Sequence, residues 1–411
     1  MSQKIKDRFR QFVAPTYGRF PITLDRGEGA FVWDTDGKRY LDLGGGIAVN
    51  CLGHSHPEIS QVLTEQSSRL MHCSNFYHFD GQAQLAENLT KRLGQGRVFF
   101  CNSGAESSEV MIKLARLYGK TEGRFEIITA ENSFHGRTMA GISATGQTKI
   151  KDGFSPLVPG FSHVPFNDLD AVQTAITPAT VAVMIEGVQG EGGIRAVSAD
   201  TLLGLRRLCN KHNLLLLWDG VQCGHFRTGS FQSFQSILDD QIGDFLPDAV
   251  GMAKSLGGGF PMGAVWIAEP NADVLGPGTH GSTFGGNPLA CTVANKILEV
   301  VDRDGLAANT TVLGHFFVNE LAKLKEKYPA AIREVRGLGL MIGIEMGESF
   351  GSFDNSKPAS LQWVSALHEA GILTIPAGLS VVRFLPPLNL TREEAQAGLD
   401  LFEQTIKKII A

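Results

Sequence analysis

Short apolar runs recur through the middle of this chain: "VAVMIEG" at 181–187, "LLLLWDG" at 214–220, "DAVGMA" at 248–253 and "GAVWIA" at 263–268. They are too short for buried helices. Because they lack apolar–polar alternation, both faces of each strand must be covered. Helical patterns lie between runs of this kind. "GAESSEVMIKLARLYG" (104–119) and "SADTLLGLRRLCNKHN" (198–213) repeat apolar residues at helical spacing, and "RVFFCNS" (97–103) and "FEIITAE" (125–131) add two more strand candidates. Such alternation predicts an α/β fold whose large domain carries a mostly parallel sheet covered by helices.

The ends of the chain read differently. "AFVWDTDGKRYLDL" (30–43) alternates around Asp36-Gly37 and predicts a hairpin. After about residue 290 the pattern changes: "NPLACTVANKILEVVDRDG" starts a long helix, and "LMIGIEM" and "VVRFLPP" are short strands of a smaller α+β domain. The expected division is 1–60, a hairpin segment belonging to the small domain; 61–290, the large domain; and 291–411, the C-terminal small domain. A net charge of −5 leaves no basic footprint for nucleic acid. No run of about 18 apolar residues predicts a membrane span. The opening "MSQKIKDRFRQFVAP" lacks the apolar stretch of a secretory signal, and Cys51, Cys73, Cys101, Cys209, Cys223 and Cys291 show no CxxC spacing. A cytoplasmic chain with free thiols is expected.

Ligands gather at the carboxyl ends of parallel strands. Asp219 ends one apolar run, and Lys254 follows the next, inside "PDAVGMAKSLGGGFPMGA" (247–264). A lone carboxylate there reads as a helix cap or ion pair, and a lone lysine as a snorkelling side chain. Together, one βα unit apart, they point to a shared edge. A lysine that attacks a carbonyl must be neutral, which burial favours, and the glycines would let the backbone approach something bulky. His54 and His56 in "GHSHP" read as a turn before a helix, because no further metal ligands are spaced with them. "GEGGI" and "LGGGFPMG" lack the strand–GxGxxG–helix context of a nicotinamide site.

Motifs along nearly the whole chain carry a resemblance. They are "TYGRFPI", "RGEGAFVWDTDGKRYLDLGGGIAVNCLGHSHP", "FFCNSGAESSE", "SFHGRT", "IEGVQGEGGI", "WDGVQ", "AKSLGGGFPMGA", "GSTFGGNPLA", "VRGLGLMIGIE" and "VVRFLPPLN". In this order they resemble the class III (fold-type I) aminotransferases that use pyridoxal 5'-phosphate, and most of all the members acting on N-acetylornithine. The resemblance implies that Lys254 forms the Schiff base and then shuttles a proton, while Asp219 pairs with the pyridine nitrogen. Val221 and Phe134 would cover the two ring faces, Gln222 would bond the ring's 3′ oxygen, and Ser103, Gly104 and Ala105 would hold the phosphate at a helix start. Thr283 would reach that phosphate from the partner subunit of a homodimer with shared sites. Arg137 and Arg383 would grip carboxylates, with Glu191 covering Arg383 when a substrate brings only one; Ser282 and Tyr17 would line the substrate pocket. The implied reaction moves the δ-amino group of N-acetylornithine to 2-oxoglutarate, giving N-acetylglutamate 5-semialdehyde and glutamate, within arginine biosynthesis.

The choice among amine donors depends on few residues: Tyr17, Gly18, Ile47 and their neighbours. Small or aliphatic residues at 46–47 leave room for an acyl group. Ornithine, succinylornithine and 4-aminobutyrate are alternative donors. The family usually has glutamate where Gly220 stands, and often glycine where Phe226 stands. On the expectation that 219 and 221 face the ring along a strand and 220 faces away, Gly220→Glu should stabilise the cofactor-bound protein and keep or raise turnover. A cofactor-binding protein of low activity has Gly220 as its one support.

Overall fold

The computed structural model describes residues 2–348, 350 and 352–410. These divide into two units, Glu58–Thr311 and Met1–Pro57 with Val312–Ala411.

The larger unit is built on seven strands: β1 Gly96–Cys101, β2 Glu126–Ala130, β3 Phe161–Val164, β4 Thr180–Glu186, β5 Leu215–Asp219, β6 Ala249–Met252 and β7 Gly263–Ala268. Their order across the sheet is β1-β7-β6-β5-β4-β2-β3. β5 runs parallel to β4 and β6, and β2 parallel to β3 and β4; β7 alone runs against its neighbours β1 and β6. The apolar runs become strands for the reason their pattern suggested: every residue of β4, β5, β6 and β7 is buried. The helix Gly104–Tyr118 lays Val110, Met111, Leu114 and Ala115 on Ile127, Met184, Leu217 and Val265 of the sheet. Deleting one such side chain, as in Leu217→Ala, should cost about 2–5 kcal/mol of stability in urea melts.

The larger unit runs to Thr311, past the boundary expected at 290. The reason is the helix Pro288–Arg303. It packs on the helix Asp80–Leu93, where Asn295 meets Asn88 at 2.9 Å.

In the smaller unit the hairpin forms as expected, Phe31–Asp34 pairing antiparallel with Arg39–Asp42. Asp34 Oδ1 accepts the amides of Asp36 and Lys38, closing the turn, and Gly37 takes φ +85°. Ile372–Leu373 adds a parallel strand to Arg39–Asp42, which joins the N-terminal segment to the C-terminal one. A second, antiparallel sheet holds Ile332–Leu338, Met341–Met346, Ile375–Ala377 and Val381–Phe384. Trp363, Phe317, Phe384 and Phe402 fill its core, and Trp363 Nε1 donates to the Gly347 carbonyl at 2.9 Å. His54 and His56 precede the helix Pro57–Ser67. His54 Nε2 lies 2.8 Å from Asp42 Oδ2, a pairing that ties this turn to the hairpin.

Candidate active site

Asp219 is the last residue of β5 and is 4 % exposed. In register it faces Glu186, the end of β4, and Gly251 of β6. The parallel alignment therefore delivers two carboxylates and the approach to Lys254 to one edge of one sheet. Asp219 Oδ1 accepts the Val221 amide at 3.1 Å, and Oδ2 lies 2.8 Å from Nδ1 of the buried His135. A carboxylate only accepts, so Nδ1 carries the shared proton. Burial opposes charge on this imidazole, but the Asp219 hydrogen bond and the nearby Asp219 and Glu186 charges win, and its pKa is raised. The His135 amide donates to Thr145 Oγ1 at 2.9 Å, and its Nε2 is buried without a hydrogen-bond partner among the described residues.

Glu186 braces two loops at once. Its Oε2 accepts the Phe134 amide at 3.0 Å and its Oε1 the Gly190 amide at 3.4 Å. Burial pushes its carboxyl up to about 7 against the pull of His135. A raised acid binds its proton more tightly when folded, so its stabilisation is complete below about 4.5 and is lost as pH rises through about 7. Glu186→Gln should remove that slope. Urea melts of the cofactor-free protein at pH 5 and pH 7.5 should show the variant gaining on the native chain as pH rises. An equal gap at both pH values would contradict this account of Glu186.

Neither residue was assigned a role in the sequence, although each had a signal. Glu186 ends an apolar run just as Asp219 does, and His135 lies in the "SFHGRT" motif beside Phe134. What the sequence did not show was that the two meet at Asp219.

Lys254 stands two residues beyond β6, half-buried, with φ +48°. A lysine in the left-handed region is costly, and the turn that follows holds it there. Gly257 and Gly258 both donate to the Lys254 carbonyl at 3.0 Å. Gly258 and Gly259 have positive φ, and a Cβ on Gly257 would lie 2.0 Å from the Phe260 carbonyl oxygen. Gly257 and Gly258 thus serve the turn itself.

Ser103 caps the helix Gly104–Tyr118, its side chain accepting from the Glu106 amide at 3.2 Å. The amides of Gly104 and Ala105, in the first turn, have no intrahelical acceptor. This helix start packs on the turn after Asp219: a Cβ on Gly104 would lie 2.7 Å from Val221 Cγ1. Gln222 packs on the other loop, its amide 2.3 Å from where a Gly190 Cβ would be. Val221 itself lies in a turn, not on the strand, because β5 ends at Asp219; strand alternation does not set its direction.

The remaining expected residues belong to both units. Arg137 is exposed, its guanidinium 5.6 Å from the Phe134 ring centroid. Glu191 is half-buried in the loop after Gly190. Ser282 Oγ accepts from Asn102 Nδ2 at 3.1 Å and the Gly285 amide at 3.0 Å, so this loop is tied to the residue before Ser103. Thr283 is exposed beside a groove lined by Ser74, Asn75, Phe76, His78 and His280. Arg383 and Tyr17 belong to the smaller unit. Arg383 is buried in the strand Val381–Phe384 and donates to the Pro376 carbonyl at 3.1 Å; Tyr17 is 74 % exposed.

These residues fit pyridoxal phosphate. The buried, twice-braced Asp219 suits a protonated ring nitrogen, the first-turn amides suit a dianion, and the lysine suits an aldehyde. Fold and site together define a transaminase. The chain belongs to the class-III aminotransferase family, which matches residues 12–406. It is 44 % identical to the acetylornithine aminotransferase of Clostridium acetobutylicum, over 97 % of this chain and all of that one. It is 43 % identical to the acetylornithine aminotransferase of Methanocaldococcus jannaschii, over 98 % of both. Among solved structures, the ornithine aminotransferase of Toxoplasma gondii ME49 is similar with TM-score 0.91 and 32 % identity, covering 100 % of this chain and 96 % of that one. The acetylornithine aminotransferase of Elizabethkingia anophelis is similar with TM-score 0.84 and 34 % identity, covering 99 % of both.

Proposed function

We propose that this chain is a cytoplasmic, homodimeric transaminase that moves the δ-amino group of N-acetylornithine to 2-oxoglutarate, with pyridoxal 5'-phosphate as cofactor and arginine biosynthesis as its setting. The observation that carries the chemistry is Asp219, buried between His135 and the Val221 amide, with Lys254 beyond the adjacent strand. Full-length likeness to acetylornithine aminotransferases supports the donor.

Each residue has a task. Asp219 keeps a proton on the ring nitrogen, and His135 holds the carboxylate in place. Gly104, Ala105 and Ser103 would hold the phosphate, Phe134 and Val221 the two ring faces, and Gln222 the ring oxygen. Bound there, the cofactor supplies an electron sink for charge that develops on the amine-bearing carbon. Lys254 Nζ, once freed, moves the proton at that carbon. Arg137, exposed beside Phe134, takes a substrate carboxylate. The roles of Tyr17, Phe134, Glu191, Val221, Gln222, Ser282 and Arg383 rest on the resemblance alone.

The homodimer is supported by apolar surface that a lone chain leaves in water: Phe76 is 94 %, Tyr77 71 % and Phe284 61 % exposed. All three lie within about ten residues of the Thr283 groove in sequence or line it. Mixing an inactive Lys254→Ala chain with an inactive Thr283→Ala chain should restore part of the activity, since one hybrid site is intact. Verified subunit exchange without recovery argues against sites shared between subunits.

A second reading, ornithine as donor, is favoured by the structural likeness to ornithine aminotransferase. Steady-state rates with N-acetylornithine, ornithine, succinylornithine and 4-aminobutyrate, each with 2-oxoglutarate, separate the readings. The highest kcat/KM should belong to N-acetylornithine; a higher value for ornithine would reverse the assignment.

A further inference from the structure

Gly220 follows Asp219, and its missing side chain leaves a space that another residue fills. A Cβ on Gly220 would lie 2.2 Å from Gln232 Oε1, and one on Gly224 would lie 2.6 Å from Oε1 and 2.9 Å from Nε2 of the same side chain. Gln232 is fully buried, and its Nε2 has no hydrogen-bond acceptor among the described residues. Burying an amide donor without an acceptor is costly; what holds the side chain there is the reciprocal cap it forms with Gln235 at the start of the helix Ser233–Leu238. Its backbone is pinned, the Gln232 amide donating to Gln235 Oε1 at 2.9 Å. The turn it presses against is closed by the Gly224 amide on the Gly220 carbonyl at 2.9 Å, and Gly220 donates to the Gly251 carbonyl at 2.9 Å. That turn supplies the Val221 amide to Asp219 Oδ1.

We propose that Gln232 is a positioning residue for Asp219. Wedged against Gly220 and Gly224, it fixes the turn whose Val221 amide orients the carboxylate. This corrects the expectation for Gly220→Glu. A side chain at 220 points at Gln232, so its place is already filled and the substitution alone dislodges Gln232. The proposal rests on Asp219 serving the ring nitrogen.

The test uses purified protein, native and carrying Gln232→Ala, Gly220→Ala, both together, or Gln232→Met, which keeps the length of the wedge. Affinity for pyridoxal phosphate, the pH titration of its visible absorbance when bound, and kcat and KM are measured alongside thermal midpoints of the cofactor-free chains. Each alanine variant should weaken cofactor binding and lower kcat on the order of tenfold, and shift the titration, with KM for the amine donor unchanged. The double variant should lose no more than either single one, because the methyl group added at position 220 then meets only the Gly251 carbonyl oxygen, at 3.1 Å. Gln232→Met should keep near-native values. Losses that multiply in the double variant, or a Gln232→Ala chain whose melting point falls while titration and kcat stay native, would overturn the positioning role. A native chain that takes up no pyridoxal phosphate overturns instead the reading of the site on which the role depends.

Discussion

Lys254→Ala is expected to lower transamination by about a thousandfold or more while leaving the fold intact. In the proposed role the loss combines the nucleophile that captures the aldehyde and the base that moves the proton, the base alone contributing on the order of 10²–10⁴. Because the two act as a unit, their removal is not additive. The backbone should tolerate the change: alanine at φ +48° meets the same cost as lysine, and the turn bonds to the residue-254 carbonyl are made by the main chain. Borohydride reduction of the native protein with pyridoxal phosphate, followed by peptide mapping, should label Lys254 and, in the variant, no residue. Label on another lysine would displace Lys254 from its role.

Asp219→Asn is expected to cost about a hundredfold or more in kcat, with a smaller change in cofactor affinity. The amide keeps the volume at the end of β5 but removes the charge proposed to hold a proton on the ring nitrogen. It also removes the main cause of the raised His135 pKa. In the native chain that raised value contributes stability that is complete below about 6.5 and is lost as pH rises through the folded pKa. In the variant burial is opposed by the Glu186 charge only, so the imidazole should titrate lower. NMR titration of His135 in both chains checks this independently of turnover. A native-like rate in Asp219→Asn would show that the ring nitrogen needs no anionic partner here.

Much of this site was legible because its chemistry coincides with strand ends. Apolar runs closing on Asp219 and leading to Lys254 announced a sheet edge, and the register of Asp219 with Gly251 shows why one βα unit sufficed. The hairpin around Gly37 and the cap at Ser103 depend on local residues, and local patterns revealed them. What stayed hidden depends on contacts between segments far apart in the chain. His135 and Asp219 are 84 residues apart, and Glu186 is 52 from Phe134. Val221 lies beyond the reach of strand alternation, because β5 stops at Asp219. Gly220 misled for a related reason: a missing side chain marks an empty space in the sequence, and only the fold shows Gln232 standing in it.

The central claim is tested most directly by a half-reaction. The purified holoenzyme is mixed with N-acetylornithine and no 2-oxoglutarate, and the cofactor's visible absorbance is followed with the aldehyde formed. The account predicts that the band bleaches with one equivalent of semialdehyde per site, and that added 2-oxoglutarate restores it with release of glutamate. A band unmoved by N-acetylornithine but bleached by 4-aminobutyrate or ornithine would contradict it.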